Sequence, residues 1–130
     1  MIILTIRTDK PDAEIGLYAG HKRLAYKTWF AHRKLAETMH QSIEELLESQ
    51  SKSWNDLNGV ACYKGPGSFT GLRIGLTVAN TLSYSLGIPI VSERADPWEA
   101  IAIARLLNGE NETLSVPFYG SEAHITLPKN

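Results

Sequence analysis

Gly59-Val60-Ala61-Cys62-Tyr63-Lys64-Gly65-Pro66-Gly67-Ser68-Phe69-Thr70-Gly71-Leu72-Arg73 is the stretch whose reading decides the fold. Its first five residues are small or apolar and read as a short buried strand. Three glycines, a proline and two hydroxyls then force a tight turn. From residue 70 an apolar helix runs to residue 86, and Gly87 stands where a left-handed C-terminal cap belongs. A buried strand, a glycine turn and a helix in that order form the repeating unit of an α/β sheet.

Upstream, residues 1–6 are almost continuously apolar or β-branched, as a central strand requires. Asp9-Lys10-Pro11-Asp12 is a turn, residues 13–18 a second strand, Ala19-Gly20-His21 another turn, and residues 22–29 a third strand. Such a run predicts an antiparallel meander. Leu35, Met39, Ile43, Leu46 and Leu47 then define one face of a helix over residues 32–48, and residues 49–53 are a polar connection. Downstream, residues 88–91 read as a strand with Pro89 near its start. Asp96 is predicted as an N-cap, Pro97 as the first helical residue and Glu99 as the partner acid of a capping box; Asn108-Gly109 ends that helix. A tail follows, with one short strand expected at residues 114–116. The order β-β-β-α-β-α-β-α implies a single α/β lobe over residues 1–109, a mixed sheet with helices packed on it, and a tail over 110–130 packed on the lobe.

The chain has 130 residues, enough for one core. No apolar run has the length of a membrane span, and the N-terminus lacks signal-peptide character, so a cytoplasmic location is expected. Cys62 is the only cysteine, which excludes an internal disulfide and a cysteine-based zinc site. Net charge is −1, yet residues 1–34 carry seven Lys/Arg against three Asp/Glu. That basic end suits RNA, an acidic partner or plain solvation, while a pI near 6.4 argues against independent tight nucleic-acid binding.

The glycine turn matches neither the Walker A pattern, since Lys64 precedes the glycines, nor the dinucleotide fingerprint, whose sixth position is here Thr70. Two readings stay open. The amides of Gly67, Ser68 and Phe69, with Arg73, face an anion at the helix start; or Ser68 or Thr70 caps the helix. The helix itself carries Gly71, Gly75, Ala79 and Ser83 at four-residue steps. A stripe of small residues predicts close approach of another element, either the chain's own sheet or a partner helix. With His32, Leu35, Met39 and Ile43 of the first helix, it is expected to form a docking surface for a helix pair, giving a four-helix bundle. His32 and His40 do not form a zinc-protease motif and read as helix-surface residues. No catalytic residue, cofactor site or metal site is expected.

The run Gly65-Pro66-Gly67-Ser68-Phe69-Thr70-Gly71-Leu72-Arg73-Ile74-Gly75-Leu76, together with Leu86-Gly87-Ile88-Pro89-Ile90-Val91, closely resembles the TsaB (YeaZ-like) subunits of bacterial tRNA threonylcarbamoyladenosine synthesis. Residues 2–8 and the first helix with His32 before it also look like that family. The resemblance implies an actin-like ATPase-superfamily (ribonuclease-H-like) lobe. It further implies a non-catalytic scaffold that pairs with a TsaD-like catalytic subunit through its first two helices, is joined by a TsaE-like ATPase, and meets tRNA, modified at adenosine 37, only indirectly. Two departures stand out. Ile6-Arg7-Thr8 replaces the family's usual Ile-Asp-Thr, which argues against magnesium–nucleotide chemistry in this lobe. The chain also lacks the length of a second lobe, passing to Val116-Pro117-Phe118-Tyr119, similar to the family's C-terminal P-x-Y segment; loss of that lobe with retention of the tail is the expectation. The rival readings are a degenerate actin-like nucleotide-binding protein or peptidase-like hydrolase, and a homodimeric structural protein.

Overall fold

The computed structural model describes residues 1–118. Five strands form one sheet in the order β3-β2-β1-β4-β5: β1 (Ile2–Arg7), β2 (Asp12–Ala19), β3 (Lys22–Phe30), β4 (Gly59–Tyr63) and β5 (Ile90–Glu93). The pairs β1–β2 and β2–β3 are antiparallel, and β1–β4 and β4–β5 are parallel. The meander and the crossovers are therefore as the hydrophobic pattern requires. Helices α1 (Leu35–Ser49) and α2 (Phe69–Leu86) cover one face, and α3 (Trp98–Leu107) covers part of the other.

Alternation along each strand sorts the core into two layers. Leu4, Ile6, Ile15, Leu17, Val60 and Cys62 face α1 and α2, together with Leu35, Met39 and Ile43. Ile3, Tyr18, Ala61, Tyr63 and Val91 face Trp98, Ala102, Ile103 and Leu106 of α3. Strand β1 is buried on both sides, which explains why its sequence runs apolar without alternation. Edge strand β3 instead carries Lys22, Arg23 and Lys27, charges that guard an open edge.

Several boundaries move for local reasons. A 3-10 turn over His32–Lys34 precedes α1, and His32 sits at φ +43°. Strand β5 begins at Ile90, not at residue 88, because the Ile88 amide donates to Ser83 O and the Ser83 hydroxyl donates to Ile88 O, tying Ile88 to the end of α2. Asp96 is not the N-cap of α3. Pro97 occupies that position with extended backbone and no side-chain cap, and Glu99 accepts instead from the Thr5 hydroxyl at 3.3 Å. The strand expected at residues 114–116 does not form: the Ser115 amide and carbonyl are both taken by the Asn80 side chain at 2.9 Å.

After α3 the chain bonds to β5 at Asn111 and Glu112, then to α2 at Ser115 and to the residue just past β4 at Phe118. The Glu112 amide donates to Ile90 O, and the Phe118 amide to Lys64 O. Arg105 ties α3 to this run through Glu93, Glu110 and Glu112 at 2.7–2.8 Å. Burial opposes the charge on Arg105, but its bonds to Glu110, Glu112 and Glu93 outweigh it and raise its pKa. Tyr119 and the apolar run Ile125-Thr126-Leu127 lie outside the described residues.

Candidate functional site

The glycine turn is held against the end of β1. A Cβ on Gly67 would overlap Asp9 Cβ, and one on Gly71 would overlap the Thr8 carbonyl oxygen. The Thr8 hydroxyl donates to Gly71 O at 2.7 Å, and the Ser68 amide donates to Asp9 O at 3.0 Å. Ser68 also caps α2, accepting from the Gly71 amide at 3.4 Å. The glycines thus allow close backbone approach. Of the residues expected at an anion site, Ser68 has its amide engaged, and Arg73 lies with its guanidinium 5.4 Å from the centre of the Phe69 ring.

Arg7 closes the same end of the sheet. Its Nε and Nη2 donate to both carboxylate oxygens of Asp9 at 2.8 and 3.1 Å, and its guanidinium stacks 4.0 Å over the Tyr63 ring. Asp96 lies 4.0 Å from Nη1. The bond to Asp9, opposed by partial burial, raises the Arg7 pKa and fixes its charge. The carboxylate nearest the β1 terminus is therefore neutralised internally. Among the described residues no group of three or more His, Cys, Asp or Glu is arranged to hold a metal ion.

The small-residue stripe turns inward, which corrects the expected docking surface. Gly75, Ala79 and Ser83 are buried, and a Cβ on Gly75 would overlap Thr8 Oγ1. Leu35, Met39 and Ile43 are likewise core residues. The close approach that the stripe implies is made within the chain, by Thr8 just past the end of β1. Only His32 of the expected set is exposed; it stacks on Phe30 with ring centroids 5.5 Å apart. His40 stacks on Trp54 at 5.0 Å.

What α1 and α2 present outward is a different set. Ala36, Thr70, Arg73, Ile74, Thr77 and Val78 line a concavity of about 320 Å³ between the two helices. A second concavity, of about 390 Å³, adjoins it where the β1–β2 turn meets the starts of α1 and α2, and includes Lys10, His32, Arg33, Ser68 and Thr70. A larger groove of about 680 Å³ opens on the other face of the sheet, beside α3, lined in part by Arg7, Glu14, Tyr18, Trp98 and Glu99. The Tyr18 phenol there is pushed up by burial and by Glu99. No sequence signal marked that groove, because its walls come from β1, β2 and α3, far apart in the chain.

Comparison with known proteins gives a consistent set. The family model described as TsaD, tRNA N6-adenosine threonylcarbamoyltransferase, matches residues 29–110. The tRNA N6-adenosine threonylcarbamoyltransferase of Geotalea uraniireducens (strain Rf4) is 29% identical over 115 residues, covering 88% of this chain and 33% of that protein. The tRNA threonylcarbamoyladenosine biosynthesis protein TsaB of Bacillus subtilis (strain 168) is 34% identical over 90 residues, 69% of this chain and 39% of that protein. YeaZ from Pseudomonas aeruginosa superposes with a TM-score of 0.66 at 22% identity, over 72% of this chain and 43% of that one, a likeness of fold. The chain thus spans between a third and two-fifths of the length of these curated relatives.

Proposed function

The chain belongs to the TsaD family of tRNA N6-adenosine threonylcarbamoyltransferases, as a TsaB/YeaZ-like member with an actin-like/ribonuclease-H-like fold, and on that premise we propose that it acts in tRNA threonylcarbamoyladenosine biosynthesis as a non-catalytic scaffold. The observation that carries the scaffold role is Arg7. Phosphoryl and acyl-phosphate chemistry on this fold needs carboxylates free to hold a cation beside the phosphates. Here the end of β1 presents a guanidinium, and Asp9 is engaged by it on both oxygens. In the glycine turn the Ser68 and Gly71 amides already pair within the chain.

The partner is a TsaD-like catalytic subunit, and the docking surface is the outer face of α1 and α2. Ile74 and Val78 are partly buried apolar residues at that face, flanked by exposed Ala36 and Thr77. Rigid support suits such a role: the inner face of α2 is locked to Thr8, so the outer face has a fixed orientation. A TsaE-like ATPase would join through the complex, and a second copy of the chain is the competing occupant of the same face. Among the described residues no helix is long and apolar enough to cross a membrane, and a cytoplasmic site of action goes with this reading.

Co-expression with a TsaD-like subunit, followed by size-exclusion chromatography with light scattering, tests the reading. A heteromeric complex is expected, lost on Ala36→Arg or Thr77→Arg, both at exposed positions where the fold tolerates the change. A complex indifferent to both substitutions, or threonylcarbamoyl transfer by this chain alone, would overturn it.

A further inference from the structure

We propose that the cationic concavity at the junction of the β1–β2 turn with the starts of α1 and α2 binds single-stranded RNA directly. The choice of RNA as the polyanion rests on the functional reading above; the site itself rests on charge, exposure and geometry.

The charge argument comes first. The whole chain is nearly neutral, but folding gathers its cations locally. Lys10 from the turn and His32 and Arg33 from the approach to α1 line one concavity with the hydroxyl residues Ser68 and Thr70. The adjoining concavity shares Thr70 and Ile74 with it and adds Arg73. Among the described residues no carboxylate lines either one. Of the two acids flanking the turn, Asp9 is held by Arg7, and Asp12 lies outside the concavity at the start of β2, across from Phe30. A surface of this kind attracts a polyanion, and phosphates fit hydroxyls and forked cations at once.

The aromatic residues then choose between polyanions. Phe30 is 71% exposed, beside the cations, with the His32 ring stacked on it. Phe69 is 55% exposed, under the Arg73 guanidinium. Exposed rings interleaved with cations form a platform for unpaired bases, whose flat faces stack while their phosphates meet the charges. An acidic peptide has the charge but no use for two such platforms. A duplex keeps its bases stacked on each other and cannot use them either.

The site is also built in advance. The Ala31 and His32 amides both donate to Pro11 O, at 3.0 and 3.1 Å, so the turn and the start of α1 move together. The start of α2 is fixed to the same turn by Ser68 and Thr8. The Ser68 and Gly71 amides are already paired within the chain, and the exposed side chains of Lys10 and Arg33 supply the cationic contacts.

Fluorescence anisotropy on the full chain, with a short labelled unpaired RNA oligonucleotide and a duplex RNA of equal length, tests the proposal. The unpaired RNA should bind more tightly, with affinity falling as salt rises. The double variant Lys10→Ala/Arg33→Ala should weaken binding about tenfold or more and make the log–log salt slope shallower by about 1.4, two phosphate contacts at about 0.7 each. Phe30→Ala should weaken binding about tenfold while leaving the slope unchanged, as loss of one stacked base predicts. All three residues are exposed, so circular dichroism should show an intact fold in every variant. Absence of RNA binding, equal binding of duplex, or indifference to both variants would overturn the proposal. So would displacement of the RNA by polyglutamate at equal charge concentration, which would assign the patch to an acidic protein. Lost RNA binding with partner capture intact overturns this inference alone; lost capture with RNA binding intact overturns the scaffold reading alone.

Discussion

Gly75→Ala discriminates between an inward and an outward small-residue stripe. On a free-standing helix the change stabilises by about 1 kcal/mol through helix propensity. In this fold the new Cβ would overlap Thr8 Oγ1 and lie 3.2 Å from Thr8 Cβ and Cγ2. Thr8 cannot swing aside: it is 1% exposed, and its hydroxyl is bonded to Gly71 O. Overpacking against a side chain pinned in this way sits in the upper part of the usual range, about 2–3 kcal/mol. The overlap outweighs the propensity gain, leaving a net loss of about 1–2 kcal/mol. For a chain of this length that lowers Tm by roughly 3–8 °C. Gly71→Ala should lose more, because the overlapping atom is the Thr8 carbonyl oxygen, which no rotamer change can move. Thr8→Ala alone forfeits one hydrogen bond, about 1 kcal/mol, but in the Gly75→Ala background it also removes the overlap. Urea unfolding followed by far-ultraviolet circular dichroism should therefore show favourable coupling above about 0.5 kcal/mol in the double-mutant cycle. A Gly75→Ala protein more stable than its parent, with no coupling to Thr8, would refute the inward packing. In that case Gly75→Trp should keep the fold and disrupt association; with the stripe inward it unfolds the chain.

Other consequences follow from single contacts. Ser68→Ala removes an N-cap bond that is long at 3.4 Å, so the loss should sit at the low end of the capping range, about 0.5 kcal/mol by chemical denaturation. Arg7→Ala strands Asp9 without its cation; because the Arg7 side chain is 19% exposed, about 2–3 kcal/mol is expected rather than the full cost of breaking a buried pair, and a loss below about 0.5 kcal/mol would show the pair to be solvated. Burial works against the Glu112 carboxylate, but bonds from Ser115, Ser92 and Arg105 hold its pKa below the ordinary value of 4.5. Its contribution to stability is thus present above that pH and lost as pH falls through the folded value, so Glu112→Gln should flatten the acid limb of the stability profile. Cys62 is buried with its thiol pKa pushed up, so a thiol reagent should label it only at the rate of unfolding.

Most of the architecture was legible because both periodicities were strong. Strand β4 falls on the predicted residues, and α2 differs by one at its start. What misled was chemistry decided by long-range contact. Asp96-Pro97-Trp98-Glu99 has the letters of a capped helix start, but the Glu99 carboxylate finds the Thr5 hydroxyl of a distant strand. Ser115 looked like strand backbone until Asn80 took both of its peptide groups. The stripe on α2 was read as a site of close approach, but the expected partner was an outside helix pair, whereas Gly75, Ala79 and Ser83 are buried within the chain. Nothing local could choose, since Thr8 is sixty-odd residues away in sequence and its overlap with Gly75 exists only once β1 and β4 pair. The basic bias of residues 1–34 was legible, but the concavity that joins Lys10 and Arg33 to Ser68 and Thr70 was not, because its residues sit in three separate segments.

The inward stripe also links the two proposed surfaces. A scaffold must hold its faces at fixed angles, and helices on sheets slide where contacts are only side chain against side chain. Here the start of α2 is fastened to the residues just after β1, with Gly67 against Asp9, Gly71 against the Thr8 carbonyl and the Ser68 amide bonded to Asp9 O. The same turn carries Lys10 and, through Pro11 O, the start of α1. One short stretch, residues 7–11, therefore sets the angle of the partner face on α2 and the position of the cations beside it. An acid at residue 7 would place a second carboxylate next to Asp9 and remove the cation that holds it. Arg7 thus holds Asp9 and stiffens the junction on which both proposed surfaces depend.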